Sequence, residues 1–296
     1  MTPKILKTSV LCLVLLSLAA SDAAAWGPRG QRAVTGTAIQ VIRRSFSDAF
    51  KGGEANYEDD VLRGAVEGPT RLSSFIALDT SINVLAVIDN EIRLLREVRK
   101  YGMGSYFAYH MGLLSALAAD VMLPFSGDAD PANAAMKKQI EADIDAHLDT
   151  YNYVPSRNNL LFIRSTAEYV TKYRSFYNDN KVMISDDYRR GKGYSGYLKE
   201  AGPVIFARAV EFAADAWNTV LRVEGDDQVG QPASASLRVY FVDEIRYLLE
   251  EKRNFNQALR AYGNFEKTGL GNAQAYERIG DLFYAFGTKE GAERGV

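Results

Sequence analysis

The sequence predicts an all-α protein, and three observations support this fold class. Apolar residues recur at helical spacing along most of the chain, as in Val34, Ala38, Val41 and Ile42. The alternation of apolar and polar residues that is typical of strands is scarce. The 296 residues are 47% hydrophobic and 24% charged, which is ordinary for a globular protein and excludes a collagen-like or broadly disordered chain.

The first 25 residues have the features of a secretory signal. Two early lysines precede an apolar run over residues 10–20, and Ala23-Ala24-Ala25 supplies the small residues of a cleavage site. The run is too short for a stable membrane span, and no later stretch reaches about 18 uninterrupted apolar residues. We therefore expect an exported protein, periplasmic rather than fully secreted, with no transmembrane anchor in a mature chain that begins at Trp26.

Helical segments are predicted one after another along the next 200 or so residues of the mature chain. Pro124 ends one of them, Asp130-Pro131 begins the next, and Gly202-Pro203 precedes the last. The predicted segments are 34–42, 82–101, 105–123, 130–148, 159–177 and 203–221.

A linker and a separate helical tail are predicted after residue 222. Residues 223–234 are rich in Gly, Asp, Pro and Ser, which is typical of a linker. In the tail, residues 235–296, Ala258 and Ala292 lie 34 residues apart, and each follows a helix–turn signature. The residues that match a tetratricopeptide pattern there are Tyr276, Ile279, Gly280, Phe283, Gly287 and Ala292.

Two interpretations of this tail stay open, namely about one and a half tetratricopeptide-like repeats or a pair of ordinary helical hairpins. Fewer than three repeats do not usually bury a core alone. The tail is therefore expected to pack on the main domain, to pack on another chain, or to stay loose. We expect a protein partner to bind through it.

The start of the mature chain, Trp26-Gly27-Pro28-Arg29-Gly30-Gln31, resembles that of the zinc-dependent phospholipase C and single-strand nuclease superfamily. Those enzymes are exported and all-helical, and they begin with Trp-Gly-x-x-x-His, whose tryptophan chelates zinc through its amine and carbonyl. Residues 62–67 and 112–126 are similar to two further segments of the superfamily. The resemblance implies a phospholipase C/nuclease-like helical domain over 26–222. It also implies metal-ligand positions at Trp26, Asp120 and Glu141.

The zinc-binding histidines of the superfamily are missing from the matching positions. The residues that stand there are Gln31, Ala116, Ser126 and Lys137. A zinc site needs nitrogen or sulfur ligands in addition to carboxylates. The chain has two histidines and one cysteine, and the cysteine lies in the predicted signal. We therefore expect the three retained ligand positions to be vestigial, with no catalytic residue and no cofactor.

Each retained position has an alternative interpretation. Trp26 either binds metal through its amine or plugs into the core. Asp120 either holds a leftover cation or forms a buried ion pair with the Trp26 amine or a helix terminus. Glu141 is either a ligand or a solvated helix charge. His110 is expected to be a packed, hydrogen-bonded residue, and His147 a residue at the core boundary.

An aromatic and basic segment covers residues 151–197, which hold nearly half of the 17 tyrosines. Tyr169, Tyr173 and Tyr177 recur at helical spacing beside Arg174. This pattern predicts either a binding surface or a core stripe with solvated neighbours. The net charge of −2 gives no general attraction to nucleic acid, so we expect no nucleic-acid partner.

Two functional hypotheses follow. The first is an exported, non-catalytic binding or structural protein, a pseudoenzyme on a phospholipase C/nuclease fold. The second is a metal-dependent phosphoesterase, of phospholipase C or nuclease type, whose altered low-nuclearity site uses zinc. The small number of histidines favours the first hypothesis, because hydrolysis of a phosphodiester by this superfamily depends on the metal cluster.

Overall fold

The computed structural model describes residues 26–52, 55–75, 83–126, 128 and 130–293. For 70–75, 174–179, 226–227 and 288–293 it describes the backbone alone. The signal predicted over 1–25 lies outside the described residues.

The described residues form eleven α-helices and confirm the all-α class. The helices are α1 (Pro28–Ile42), α2 (Glu58–Phe75), α3 (Val84–Val98), α4 (Ser105–Val121), α5 (Pro131–His147), α6 (Thr166–Arg189), α7 (Leu198–Leu221), α8 (Asp226–Val229), α9 (Ser234–Glu250), α10 (Phe255–Thr268) and α11 (Ala273–Glu293). A two-residue antiparallel pair, β1 (Lys51–Gly52) with β2 (Ala55–Asn56), precedes α2. Among these helices none is long and apolar enough to cross a membrane.

Helix α4 lies at the centre of the fold, because it is apolar around most of its circumference. It packs against α1, α2, α3 and α7. Its crossing with α2 is very close. A Cβ on Gly64 would lie 1.8 Å from the carbonyl oxygen of Tyr109, and a Cβ on Gly112 would lie 1.9 Å from that of Val61. The two helix backbones are therefore in direct contact, which residues with side chains would prevent.

Two tryptophans attach neighbouring elements to α4. The indole N–H of Trp26 donates to the carbonyl of Ala119 at 2.9 Å, and that of Trp217, on α7, donates to the carbonyl of Met111 at 2.7 Å. Both rings are almost completely buried. Of the two interpretations of Trp26, the structure shows the core plug. The described contacts do not test its amine as a ligand.

One predicted helix is displaced in the structure. The segment predicted over 159–177 forms a helix over Thr166–Arg189 instead, with the side chain of Ser165 capping its N-terminus. Before it, the amides of Leu161 and Ile163 donate to side chains of α7, Asp215 and Thr219, at 2.8 Å each. These two amides therefore have hydrogen-bond partners on α7 and not within a helix. The apolar residues of this stretch belong to a non-helical segment that packs on α7.

Two prolines lie inside helices, although proline usually marks the end of a helix in sequence-based prediction. Pro69 is within α2, and Pro203 is within α7. Each proline removes one intrahelical hydrogen bond. In α7 the apolar face continues through Phe206 and Val210, which are buried, so packing outweighs the local cost.

The tail packs on the main helical domain, which is one of the three outcomes expected for it. Helix α9 contacts α3 and α4, while α10 and α11 pack on α9. The hydroxyl of Tyr247 donates to Asp60 at 2.8 Å, and the amide of Asn264 donates to the carbonyl of Tyr101 at 3.0 Å. The segment predicted as a linker contains α8 and the buried Val229, so it is anchored to the domain.

Candidate functional site

Four residues at the matched ligand positions meet between the end of α4 and the face of α5. Lys137 is central, with its Nζ atom 2.7 Å from an Asp120 carboxylate oxygen and 3.6 Å from one of Glu141. Lys137 and Glu141 are four residues apart on α5 and therefore share a face. We call Asp120, Ser126, Lys137 and Glu141 the Lys137 cluster.

Ser126 enters the cluster through a tight turn after α4. Phe125 has φ 66°, a left-handed conformation that residues other than glycine rarely adopt. The turn brings the Ser126 hydroxyl back to Asp120, to which it donates at 3.0 Å. Both Asp120 carboxylate oxygens thus have a donor, one from Lys137 and one from Ser126.

The charge of the cluster is set largely by burial. The Glu141 side chain is 13% exposed. Its burial raises the pKa of this carboxyl from 4.5 to about 8; the nearby Lys137 acts against that shift, and Asp120 adds to it. At neutral pH Glu141 is mostly protonated, so the principal ion pair joins Lys137 to Asp120.

The N-terminus of α1 lies beside the same face of α5. Asp145 follows Glu141 by four residues, and its carboxylate accepts the Gly30 amide at 2.7 Å. A Cβ on Gly30 would lie 2.6 Å from that carboxylate and 2.8 Å from the Trp26 ring. Glycine at position 30 therefore lets the helix start close to both groups.

Gln31 lies on α1 one turn before Thr35, whose hydroxyl is 2.9 Å from that of Ser115 on α4. Together with the Trp26–Ala119 bond, this contact places Gln31 along the 115–119 stretch of α4, where Ala116 is buried. Gln31 is 2% exposed. Within the described residues neither the nitrogen nor the oxygen of its side-chain amide has a hydrogen-bond partner.

The structure thus brings four of the seven matched positions into one cluster and sets the other three, Trp26, Gln31 and Ala116, along α1 and α4. Asp120 is in a partly buried ion pair, but its partner is Lys137 and not the Trp26 amine or the helix terminus that the sequence led us to expect. Glu141 is not a solvated charge. The described residues contain no group of three or more His, Cys, Asp or Glu side chains that could hold a metal ion.

The aromatic segment on α6 contributes at least partly to the core. Tyr169 is buried, its ring stacks on Phe212, and its hydroxyl donates to Asp215 at 2.7 Å. Tyr173 is half-buried, with the guanidinium groups of Arg157 and Arg208 over its ring at 5.4 Å and 5.5 Å. The side chains of Arg174 and Tyr177 lie outside the described part of the chain.

Both histidines are packed against neighbours. His147 stacks on Tyr194 with ring centroids 3.5 Å apart, and its Nδ1 atom is 2.7 Å from the carbonyl of Asp143. The Nδ1 atom of His110 is 2.5 Å from the Glu91 carboxylate on α3. The expectation of a packed, hydrogen-bonded His110 is confirmed.

His110 also lines a cavity of about 390 Å³ between α3, α4 and α9, which sequence reasoning did not identify. We call this cavity the tyrosine pocket. Its lining includes Tyr106, Tyr109, His110, Leu113, Tyr240 and Tyr247. The signal available in the sequence was the run of aromatic residues at helical spacing on α4 and on α9. Nothing in the sequence indicated that these two faces meet.

No protein-family model, no curated protein and no solved structure matches this chain.

Proposed function

We propose that this chain is an exported, non-catalytic binding protein built on a phospholipase C/nuclease-like helical fold. The observation that carries the proposal is the position of Lys137. Its ammonium group contacts the Asp120 and Glu141 carboxylates, the two side chains that the resemblance assigns to metal binding.

An ammonium group at this position supports a binding role on chemical grounds. It neutralises the Asp120 carboxylate as a metal ion would, but it offers no open coordination site. It therefore cannot lower the pKa of a bound water molecule to generate a hydroxide nucleophile. Zinc would also have to displace Lys137 and would find a serine at position 126 in place of an imidazole.

The competing hypothesis is a metal-dependent phosphoesterase with zinc at a low-nuclearity site. Both hypotheses are tested on the purified protein after dialysis, by elemental analysis and by hydrolysis of bis(p-nitrophenyl) phosphate with and without chelator. We expect no stoichiometric zinc and no chelator-sensitive hydrolysis. Stoichiometric zinc together with hydrolysis that the chelator abolishes would establish the phosphoesterase instead.

Lys137→Gln supplies a matched control for these assays, because it removes the ammonium group and keeps a polar side chain of similar length. If the lysine stands in for a cation, this variant should take up more zinc than the natural protein does. Lys199→Gln, at an exposed position on α7, should leave the zinc content unchanged.

We also propose that the tail is the contact site for a protein partner. Helices α10 and α11 present large apolar side chains to solvent, among them Leu259 at 50% and Tyr284 at 75% exposure. The tetratricopeptide-like sequence pattern of the tail supports the same role. Cross-linking in periplasmic extracts of the natural chain, compared with Tyr284→Ser, tests this contact and the export of the protein together.

A further inference from the structure

We propose that the tyrosine pocket binds a small organic cation, a primary ammonium group carried on an apolar body. The inference names a ligand class for the proposed binding protein and rests on that proposal. The pocket is separate from the Lys137 cluster. It uses α4 up to Leu113, and Asp120 lies about 10 Å further along the same helix at the usual rise per residue.

The pocket has the size and preformed shape of a small-molecule site. Its volume of about 390 Å³ lies within the range typical of ligand cavities. The consecutive helices α3 and α4 and the distant helix α9 form most of its walls, and Tyr106 lies where α4 meets α9. Its ring centroid is 5.0 Å from that of Tyr240 and 5.1 Å from that of Tyr247. These rings pack against one another, so they form a preorganised surface for a ligand.

The apolar part of the lining suits a hydrocarbon or aromatic body. Leu94 and Leu113 are almost fully buried on α3 and α4, and Val239, 55% exposed, stands at the rim on α9. Burial of an apolar group against such a surface favours binding, because it removes apolar area from water.

The charged side chains of the lining include more carboxylates than fixed cations. Glu91 and Asp243 stand on different walls of the pocket, and Arg246 is its one guanidinium among the described lining residues. Arg246 is 3.3 Å from Asp243 and 3.8 Å from Glu250, so it is shared between two carboxylates. Carboxylates therefore outnumber fixed cations here, and the balance favours a positively charged ligand over a neutral or an anionic one.

The negative charges also act on Tyr106, which lines the pocket. Burial raises the pKa of the Tyr106 hydroxyl well above its ordinary value, and the charges of Asp243 and Glu91 raise it further, with Arg246 opposing them. Two other rings of the lining, those of Tyr109 and Tyr247, already make cation–π contacts. The guanidinium of Arg63, which does not line the pocket, lies 4.8 Å from the ring centre of Tyr247 and 5.7 Å from that of Tyr109.

Isothermal titration calorimetry with three probes of one shape tests the inference. The probes are 2-phenylethylammonium, the neutral 2-phenylethanol and the anionic 3-phenylpropionate. We expect saturable binding of the ammonium probe, about tenfold or more tighter than that of the alcohol, and no binding of the carboxylate. Equal or tighter binding of the alcohol or of the carboxylate overturns the inference, and so does a lack of saturable binding by the ammonium probe.

Two variants locate the binding. Val239→Trp places a large ring at the rim of the pocket, and we expect it to weaken binding of the ammonium probe about tenfold or more. Val182→Trp, at a 64% exposed position on α6, is the matched control and should bind as the natural protein does. Unchanged binding in Val239→Trp contradicts the assignment to this pocket.

Glu91→Gln separates charge from shape. The variant removes one carboxylate and can keep the hydrogen bond to His110. It should therefore weaken the binding of the ammonium probe and leave the binding of 2-phenylethanol unchanged. Equal weakening of both probes contradicts a charge-based selection. Because zinc content and hydrolysis are measured separately, failure of this inference is distinguishable from failure of the proposed non-catalytic role.

Discussion

Lys137 sets the charge balance at the contact between α4 and α5. Lys137→Met keeps most of the side-chain length but leaves Asp120 with the Ser126 hydroxyl as its remaining hydrogen-bond donor among the contacts described. We expect a loss of about 1–3 kcal/mol in the free energy of unfolding, because a partly buried carboxylate then lacks its cation. Urea denaturation measures this loss. Lys199→Met, at an exposed position on α7, should change stability by less than about 0.5 kcal/mol.

Glu141 gives the protein a pH dependence of defined sign. Its pKa is about 8 in the folded chain against 4.5 as a free side chain, so the folded state binds more protons between these values. The contribution of this group to stability is therefore full below about pH 4.5 and is lost as the pH rises through about 8.

Glu141→Gln should flatten the stability profile between pH 5 and about pH 8, where linkage allows an effect of a few kcal/mol. Denaturant midpoints at several pH values in this interval compare the variant with the natural chain. Glu224→Gln, at a side chain that is 84% exposed, is the control. A slope that stays the same in Glu141→Gln would mean that Glu141 is ionised in the folded protein.

At the scale of elements, the α2–α4 crossing reverses the usual effect of replacing glycine. Alanine normally stabilises a helix interior by up to about 1 kcal/mol relative to glycine. At Gly64 and Gly112 the added Cβ would meet backbone carbonyls at 1.8 Å and 1.9 Å, so the helices would have to separate. We expect Gly64→Ala and Gly112→Ala to destabilise by at least about 1–3 kcal/mol each.

Gly36→Ala in α1 is the matched control, because a Cβ there would meet no atom within 4 Å. It should stabilise the protein, as helix propensity predicts. Thermal melts of the three variants show whether the signs differ. Stabilisation by all three would mean that the two helices are not in backbone contact.

Helix periodicity predicted where most elements lie, and it failed where a local signal was overruled. The start of α5 at Asp130-Pro131 could be predicted, because an aspartate cap followed by proline is a strong local signal. In the structure the Asp130 side chain accepts a hydrogen bond from the amide of Ala132. Helix α2 is absent from the predicted segments, and Pro69 lies inside it although a proline usually ends or kinks a helix. The displaced α6 shows the same limit, as hydrogen bonds to α7 drew residues 161–163 out of the helix.

At the scale of the whole molecule, the tail and the main domain share one core. Phe241, Ile245 and Tyr247 on α9 are buried. We expect residues 235–296 expressed alone to be largely unfolded or self-associated, because α9 would lose its partners on α3 and α4. Circular dichroism and sedimentation measure this outcome. A monomeric tail with a cooperative melt of its own would contradict it.

The candidate sites differ in how far sequence could predict them. Lys137 and Glu141 share a helix face by their spacing, and the resemblance assigns all four residues of the Lys137 cluster to metal-ligand positions. Their proximity could therefore be predicted, but the pairing of Lys137 with Asp120 was not predicted. The tyrosine pocket could not be predicted, because the contact of Tyr106 with Tyr240 joins residues far apart in the chain. Helical spacing alone does not determine which aromatic faces meet.

The walls of the tyrosine pocket come from the main domain on two sides and from the tail on the third. A molecule held there touches both parts and is released when they separate. Ligand concentration and attachment of the tail are therefore linked thermodynamically. Above its dissociation constant, each tenfold rise in free ligand adds about 1.4 kcal/mol to the docked state. Any partner that binds α10 and α11 by pulling the tail away would then compete with the small molecule without sharing its site.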